Sequence, residues 1–80
     1  MFELNTDEKK KYIRNAINYV HERSEMGAAD LSAIKRLCVR VGIKEDEVQQ
    51  YIATLTSSGQ ASAQIVGRSY YIVLTDKFFD

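Results

Sequence analysis

Residues 61–74 read ASAQIVGRSYYIVL, a pattern that predicts β-structure. Apolar residues recur at every second position on both sides of Gly67-Arg68, which is typical of two β-strands joined by a two-residue turn. Glycine at the first central position is what a type II′ turn requires. The pattern therefore predicts a β-hairpin with strands at about 61–66 and 69–74.

The turn also fixes the register of this hairpin. A two-residue turn pairs the strands so that all the consistently apolar positions lie on one face. The predicted pairs are Val66 with Ser69, Ile65 with Tyr70, Ala63 with Ile72 and Ala61 with Leu74.

The segment before the hairpin, residues 42–59, reads GIKEDEVQQYIATLTSSG and has the spacing of a helix. Val48, Ile52 and Leu55 form one apolar stripe, and Gly59 follows as a helix stop. We predict a helix at about 45–58. Its first turn contains three acidic residues, which suit the helix dipole and repel phosphate.

Two further helices are predicted at about 6–24 and 31–41. Asn5 and Glu8 have the spacing of a capping box at the start of the first helix. Asp30 is a good N-cap for the second helix, and Gly42 follows it as a stop. The short turn between the second and third helices is typical of a helix-turn-helix.

Residues 1–80 are thus predicted to form a single α+β domain, a winged helix-turn-helix with three helices followed by a two-stranded β-hairpin wing. There is room for a short strand around 27–29. Arg68 would lie at the tip of the wing.

Composition narrows the function. Eleven basic and eleven acidic residues cancel, whereas a domain that reads duplex DNA usually has a basic surplus. The single cysteine cannot form an internal disulfide, and no apolar run is long enough to span a bilayer. We expect an intracellular protein with no membrane partner, in the cytoplasm or nucleoid of a prokaryote or the nucleus of a eukaryote.

No catalytic pattern is apparent, so we expect neither an enzyme nor a bound cofactor or metal. His21 is the only histidine and Cys38 the only cysteine, which leaves no cluster of metal ligands. Cys38 falls in the apolar stripe of the second helix and is expected to be a small buried hydrophobe. His21 is expected at the surface or the core boundary.

Binding features are present on three elements. Arg68 can reach a minor groove or a phosphate and Tyr71 can stack on a base, although an ordinary turn residue and a cross-strand aromatic explain them equally well. The third helix offers Gln49, Gln50 and Thr54 to base edges. The second helix projects Lys35, Arg36 and Arg40, which suit phosphates.

The basic residues of the first helix, Lys9, Lys10, Lys11, Arg14 and Arg23, are expected to form a mainly solvated face. If DNA is bound, the basic faces of the first two helices and Arg68 should contribute more than the third helix. Phe78 and Phe79, near the end of the chain, either fold back onto the domain or remain exposed.

The run LSAIKRLCVRVGIKEDEVQQYIATLTSSGQ, followed by a hairpin with YYIV in its last strand, resembles the C-terminal winged helix of the minichromosome-maintenance (MCM) replicative helicases. It is also similar to the C-terminal winged helix of the replication protein A middle subunit. The resemblance implies a non-catalytic accessory module of a DNA-replication assembly. Such a module would bind replication proteins or the rest of a helicase, with at most weak, non-specific DNA binding. The alternative is a small DNA-binding transcriptional regulator.

Overall fold

The computed structural model describes residues 4–25 and 27–79, so the remainder of the predicted 1–80 domain lies outside the described residues. Within these two ranges the fold is α+β, a winged helix with three α-helices and a three-stranded antiparallel sheet. The elements, in chain order, are α1 (Thr6–Glu22), β1 (Ala29–Asp30), α2 (Leu31–Val39), α3 (Glu45–Ser57), β2 (Ala61–Val66), β3 (Ser69–Leu74) and a final 3₁₀ helix (Asp76–Phe79).

The hairpin of β2 and β3 has the predicted register, and all four predicted pairs are confirmed. Gly67 has a φ of 63° and Arg68 does not have a positive φ, as a type II′ turn requires. The short strand expected near 27–29 is β1, which pairs Ala29 with Ile72. The strand order is therefore β1-β3-β2, with β3 in the centre.

Helices α1 and α2 each end two residues earlier than predicted. At the end of α2, the Gly42 N–H donates to the Val39 carbonyl at 3.0 Å and the Ile43 N–H donates to the Cys38 carbonyl at 3.1 Å. This is the Schellman pattern, and Gly42 adopts the left-handed φ of 84° that it needs. Because Ile43 is then buried, the turn into α3 is anchored to the core.

The core lies between the apolar stripes of the three helices and the inner face of the sheet. Its largest fully buried side chains are Ile13, Ile17, Ile34, Ile43, Ile72, Val48 and Cys38. The apolar face of the hairpin is only partly covered, since Ala61 and Ile72 are buried whereas Ile65 and Tyr70 are 64% and 50% exposed. The outer half of the wing therefore projects beyond the core and carries its apolar face into solvent.

The solvated basic face expected on α1 is wrong for two of its five residues. Lys9 forms an ion pair with Glu47 of α3, with 3.1 Å between Nζ and Oε2. Arg14 is half-buried, and its guanidinium donates to the Phe78 carbonyl and lies 4.0 Å from the centre of the Phe78 ring. Lys9 and Arg14 thus tie α1 to α3 and to the end of the chain, while Lys10 and Lys11 are exposed as expected.

The two final phenylalanines behave differently. Phe78 is 2% exposed and belongs to the core cluster, whereas Phe79 is 58% exposed. Arg14 also donates to the side chain of Gln60 at 3.3 Å, so the same guanidinium holds the 3₁₀ helix against the start of β2. One phenylalanine therefore closes the core and the other lies on the surface.

Candidate nucleic-acid interface

The outward face of α3 is uncharged along most of its length. Gln49, Gln50, Ala53 and Ser57 are exposed, because the apolar stripe of the helix faces the core. Alanine and serine have short side chains, so the side-chain amides of Gln49 and Gln50 extend further from the helix than their neighbours do. Such a surface can approach base edges closely, and glutamine can pair with adenine.

Thr54 is less available for hydrogen bonds to base edges than the sequence predicts. Its hydroxyl donates to the Gln50 carbonyl at 3.1 Å, one turn back in the helix. This local bond uses the only donor of the threonine side chain. Gln50 and Thr54 also line a depression beside Lys9 and Lys10 of α1. Among the residues proposed to read bases, Gln49 and Gln50 therefore offer the available donors.

The start of α3 exposes less negative charge than its three consecutive acidic residues imply. Glu47 is turned towards α1, where it pairs with Lys9, so only Glu45 and Asp46 are exposed there. Lys44 occupies the N-cap position and makes no side-chain capping bond. Serine, threonine, aspartate or asparagine is usual at this position, so the sequence places a cation where local stability favours a capping residue.

The three basic residues predicted on α2 lie together. Lys35, Arg36 and Arg40 line a shallow depression that extends to Glu45 at the start of α3. Arg36 and Arg40 are exposed, and Lys35 is half-buried. Within the described part of the chain, none of the three has an ion-pair partner. Their charges are thus available to an anion next to the entry of α3.

Arg68 is exposed at the tip of the wing, as predicted. It is the single charged side chain in the sequence between Val48 and Thr75, so both strands of the wing are otherwise uncharged. Its neighbours Ile65, Val66 and Tyr70 are exposed apolar residues. Strand alternation predicts which face they occupy, but only the structure shows that the core does not cover them.

Tyr71 lies apart from the tip of the wing. It pairs with Asp30 on one side and Gln64 on the other, and it is half-buried. Its side chain lines a groove with Tyr19 of α1 and Leu37 of α2. The structure therefore brings together the α2 cations and the start of α3, places Arg68 at the tip, and puts Tyr71 at a different surface.

Sequence reasoning missed Lys44 and the exposed apolar residues of the wing. For Lys44 there was a signal, because a lysine precedes the helix where a capping residue is usual. For Ile65 and Tyr70 there was none, since alternation assigns a face and not its coverage.

Cys38 is fully buried, and desolvation raises its pKa from 9.0 to about 11. The thiolate is the reactive form of cysteine. At pH 8, on the order of one thiol in a thousand is ionised in the folded protein, so a disulfide reagent such as Ellman's reagent should label Cys38 only as fast as the chain opens. Labelling as fast as that of a free thiol would contradict this placement.

No group of three histidine, cysteine or acidic residues suited to a metal ion occurs in residues 4–25 and 27–79.

No helix in the described ranges is both long enough and apolar enough to cross a membrane. No protein-family model matches the sequence, and no curated protein sequence matches it. The structure of TubR, a type III plasmid segregation protein, is similar to this chain. The TM-score is 0.51 at 20% sequence identity, over 99% of this chain and 82% of that chain. The likeness supports the winged-helix fold and gives no support to the resemblance to MCM helicases.

Proposed function

We propose that this chain is a non-catalytic winged-helix domain that binds duplex DNA, with α3 in the major groove and the wing against the neighbouring backbone or minor groove. One observation carries the proposal: Lys35, Arg36 and Arg40 lie together next to the start of α3, Arg68 is exposed at the wing tip, and none of the four has an ion-pair partner in the described residues. Phosphate contacts of this kind position a domain on the duplex, and base contacts then add specificity.

The charges of α3 itself limit how tight the binding is. Glu45 and Asp46 remain exposed near the proposed entry of the helix and oppose phosphate. Lys44 and the α2 cations lie beside them and offset part of that repulsion. We therefore propose moderate, salt-sensitive affinity with limited sequence preference.

The wing supplies the second contact. An arginine at the tip of a hairpin suits a narrow minor groove, where the negative potential is greatest. Apolar residues beside such a cation pack against sugars or wedge at base steps. The exposed side chains of Ile65 and Tyr70 have this placement relative to Arg68. DNA binding therefore gives a single explanation for the cation and for the apolar surface around it.

The likeness to a plasmid segregation protein supports a role on DNA, since a plasmid is DNA. We propose a small DNA-binding regulator, in transcription or in the handling of a replicon. Intracellular location and the absence of catalysis are part of the proposal.

Equilibrium titration of a fluorescein-labelled duplex, followed by anisotropy, tests DNA binding. Four phosphate contacts predict a slope of log Kd against log salt of about 3.6, so affinity should fall about 100-fold between about 50 mM and about 200 mM salt. The expected Kd at the lower salt is in the micromolar range, typical of weak to moderate binding. Absence of binding at that salt, or binding insensitive to salt, would overturn the proposal.

A second candidate is a protein-docking accessory module of a DNA-replication assembly. The observation that favours it is the exposed apolar face of the wing, because uncovered apolar patches often mark protein interfaces. Ile65→Ser separates the two functions. If the wing contacts DNA, Ile65→Ser and Arg68→Ala both weaken the complex with duplex. If the wing docks a protein, Ile65→Ser leaves DNA affinity unchanged.

A further inference from the structure

A second concave surface lies between α1, α2 and the sheet, away from the outward face of α3. It is a groove of about 470 Å³. Its apolar lining comprises Val20, Ala28, Ala33 and Leu37, with the rings of Tyr19 and Tyr71. Nothing in the proposed DNA contact requires an apolar floor here, because phosphates are recognised by charge and by hydrogen-bond donors.

The rim of this groove is basic. Arg23, Arg36 and Arg40 line it, and Asp30 is the one acidic residue among the lining side chains. The Asp30 carboxylate accepts a hydrogen bond from the Ser32 N–H at 3.0 Å and caps α2, so it is already engaged. The Arg23 guanidinium lies 3.6 Å from the centre of the Tyr19 ring, which holds this cation at the edge of the apolar floor.

The groove continues along α1 towards its N-terminal half. A second depression of about 270 Å³ shares Tyr19 and Leu37 with it and adds Tyr12, Asn15 and Ala16. None of these five side chains is charged. The two depressions together form a track, apolar along its length and cationic at one end.

We propose that this track, hereafter the α1–α2 track, is a docking site for an acidic amphipathic segment of a partner protein. Apolar side chains of the segment pack on Leu37 and the tyrosine rings, and its carboxylates meet Arg23, Arg36 and Arg40. Charge complementarity selects the occupant, because arginine pairs well with carboxylates, and the capping Asp30 is the one acid among the described residues that line the track. The arrangement also sets a direction, with the acidic end of the segment next to Arg40 and Arg23.

The docking site does not depend on DNA binding. The track has three lining residues that do not line the depression next to α3, namely Tyr19, Arg23 and Leu37. Arg36 and Arg40 line both surfaces. Where both activities hold, an acidic segment and duplex compete for those two arginines.

The test uses the whole chain and a synthetic amphipathic peptide that has leucines on one face and glutamates towards one end. The control peptide has the glutamates replaced by lysines. NMR titration of the ¹⁵N-labelled protein should place the largest amide shifts at Tyr12, Tyr19 and Leu37. Arg23→Glu is expected to weaken the glutamate peptide at least about tenfold, since it reverses one of three paired charges. Lys11→Glu, which makes the same change on the solvent side of α1, should have less than about a threefold effect.

Equal weakening by Arg23→Glu and Lys11→Glu would show non-specific attraction and overturn the proposal. So would equal affinity for the two peptides, or the absence of shifts with the glutamate peptide. A duplex that shifts Tyr12 and Tyr19 where the peptide does not would assign the track to nucleic acid instead. Circular dichroism of each variant confirms folding, and failure of the DNA titration leaves the peptide result unaffected.

Discussion

Phe78→Ala is expected to lower the free energy of unfolding by about 3 kcal/mol, the usual cost of emptying a buried phenylalanine site. Phe78 is 2% exposed although it lies almost at the end of the chain. Its ring packs beneath the Arg14 guanidinium, and its carbonyl accepts a hydrogen bond from the same group. Removing the ring therefore opens a cavity and removes the contact of the ring with the Arg14 guanidinium, while the bond to the backbone carbonyl can remain.

Thermal unfolding followed by circular dichroism measures this effect. For a domain of this size each kcal/mol corresponds to roughly 4–8 °C, so the midpoint should fall by roughly 12–24 °C. Phe79→Ala is the matched control, because Phe79 is 58% exposed and its removal leaves no cavity. The control should cost less than about 1 kcal/mol. Equal losses for the two variants would contradict the placement of Phe78 in the core.

Replacing Arg36, Arg40 and Arg68 together by glutamine is expected to reduce duplex affinity on the order of 100-fold at low salt. All three side chains are exposed, and none has an ion-pair partner in the described residues. Each lost phosphate contact should also lower the slope of log Kd against log salt by about 1. The slope of the triple variant should thus fall from about 3.6 to about 0.9, the value expected for one remaining phosphate contact.

Lys11→Gln is the control for this variant, since it removes one exposed charge from the outer face of α1. It should change the salt slope by less than about 0.3, because Lys11 does not line the depression next to α3. A triple variant that keeps the wild-type slope would place the phosphate contacts elsewhere on the domain. Stability should be almost unchanged in both, as surface substitutions usually have small effects.

The local parts of the fold follow from the sequence. The register of the wing depends on a two-residue turn and on strand alternation, and both are legible in residues 61–74. The stop after α2 follows from Gly42, whose left-handed backbone suits glycine. These features depend on neighbouring residues alone, so periodicity and turn chemistry suffice to predict them.

The tertiary pairs could not be predicted in the same way. Lys9 and Glu47 are 38 residues apart, and Arg14 and Phe78 are 64 residues apart. Nothing in the helical spacing of α1 distinguishes a lysine that reaches another helix from one that faces solvent. The expected solvated face failed at Lys9 and Arg14 for this reason, although it holds for Lys10 and Lys11.

In the candidate site, too, features set by neighbouring residues follow from the sequence, and features set by tertiary packing do not. Turn chemistry places Arg68 at the tip of the wing, and helical spacing places Gln49 and Gln50 on the outward face of α3. The position of Tyr71 in the groove depends on how the sheet packs beside α1 and α2, which alternation does not encode. The resemblance to MCM helicases depended on the spacing of apolar residues in α3. Third helices of winged-helix domains share that spacing in general, so it predicts the fold and does not distinguish one family from another.

An NMR titration of the ¹⁵N-labelled chain with a short duplex shows which surface of the domain contacts DNA. We predict that the largest amide shifts occur in three places: the outward face of α3 at Gln49 and Gln50, the α2 cations Arg36 and Arg40, and the wing tip at Arg68. Lys11 should not shift. Absence of shifts at low salt, or shifts confined to α1 with α3 and the wing unaffected, would contradict the proposal that this winged helix binds duplex DNA.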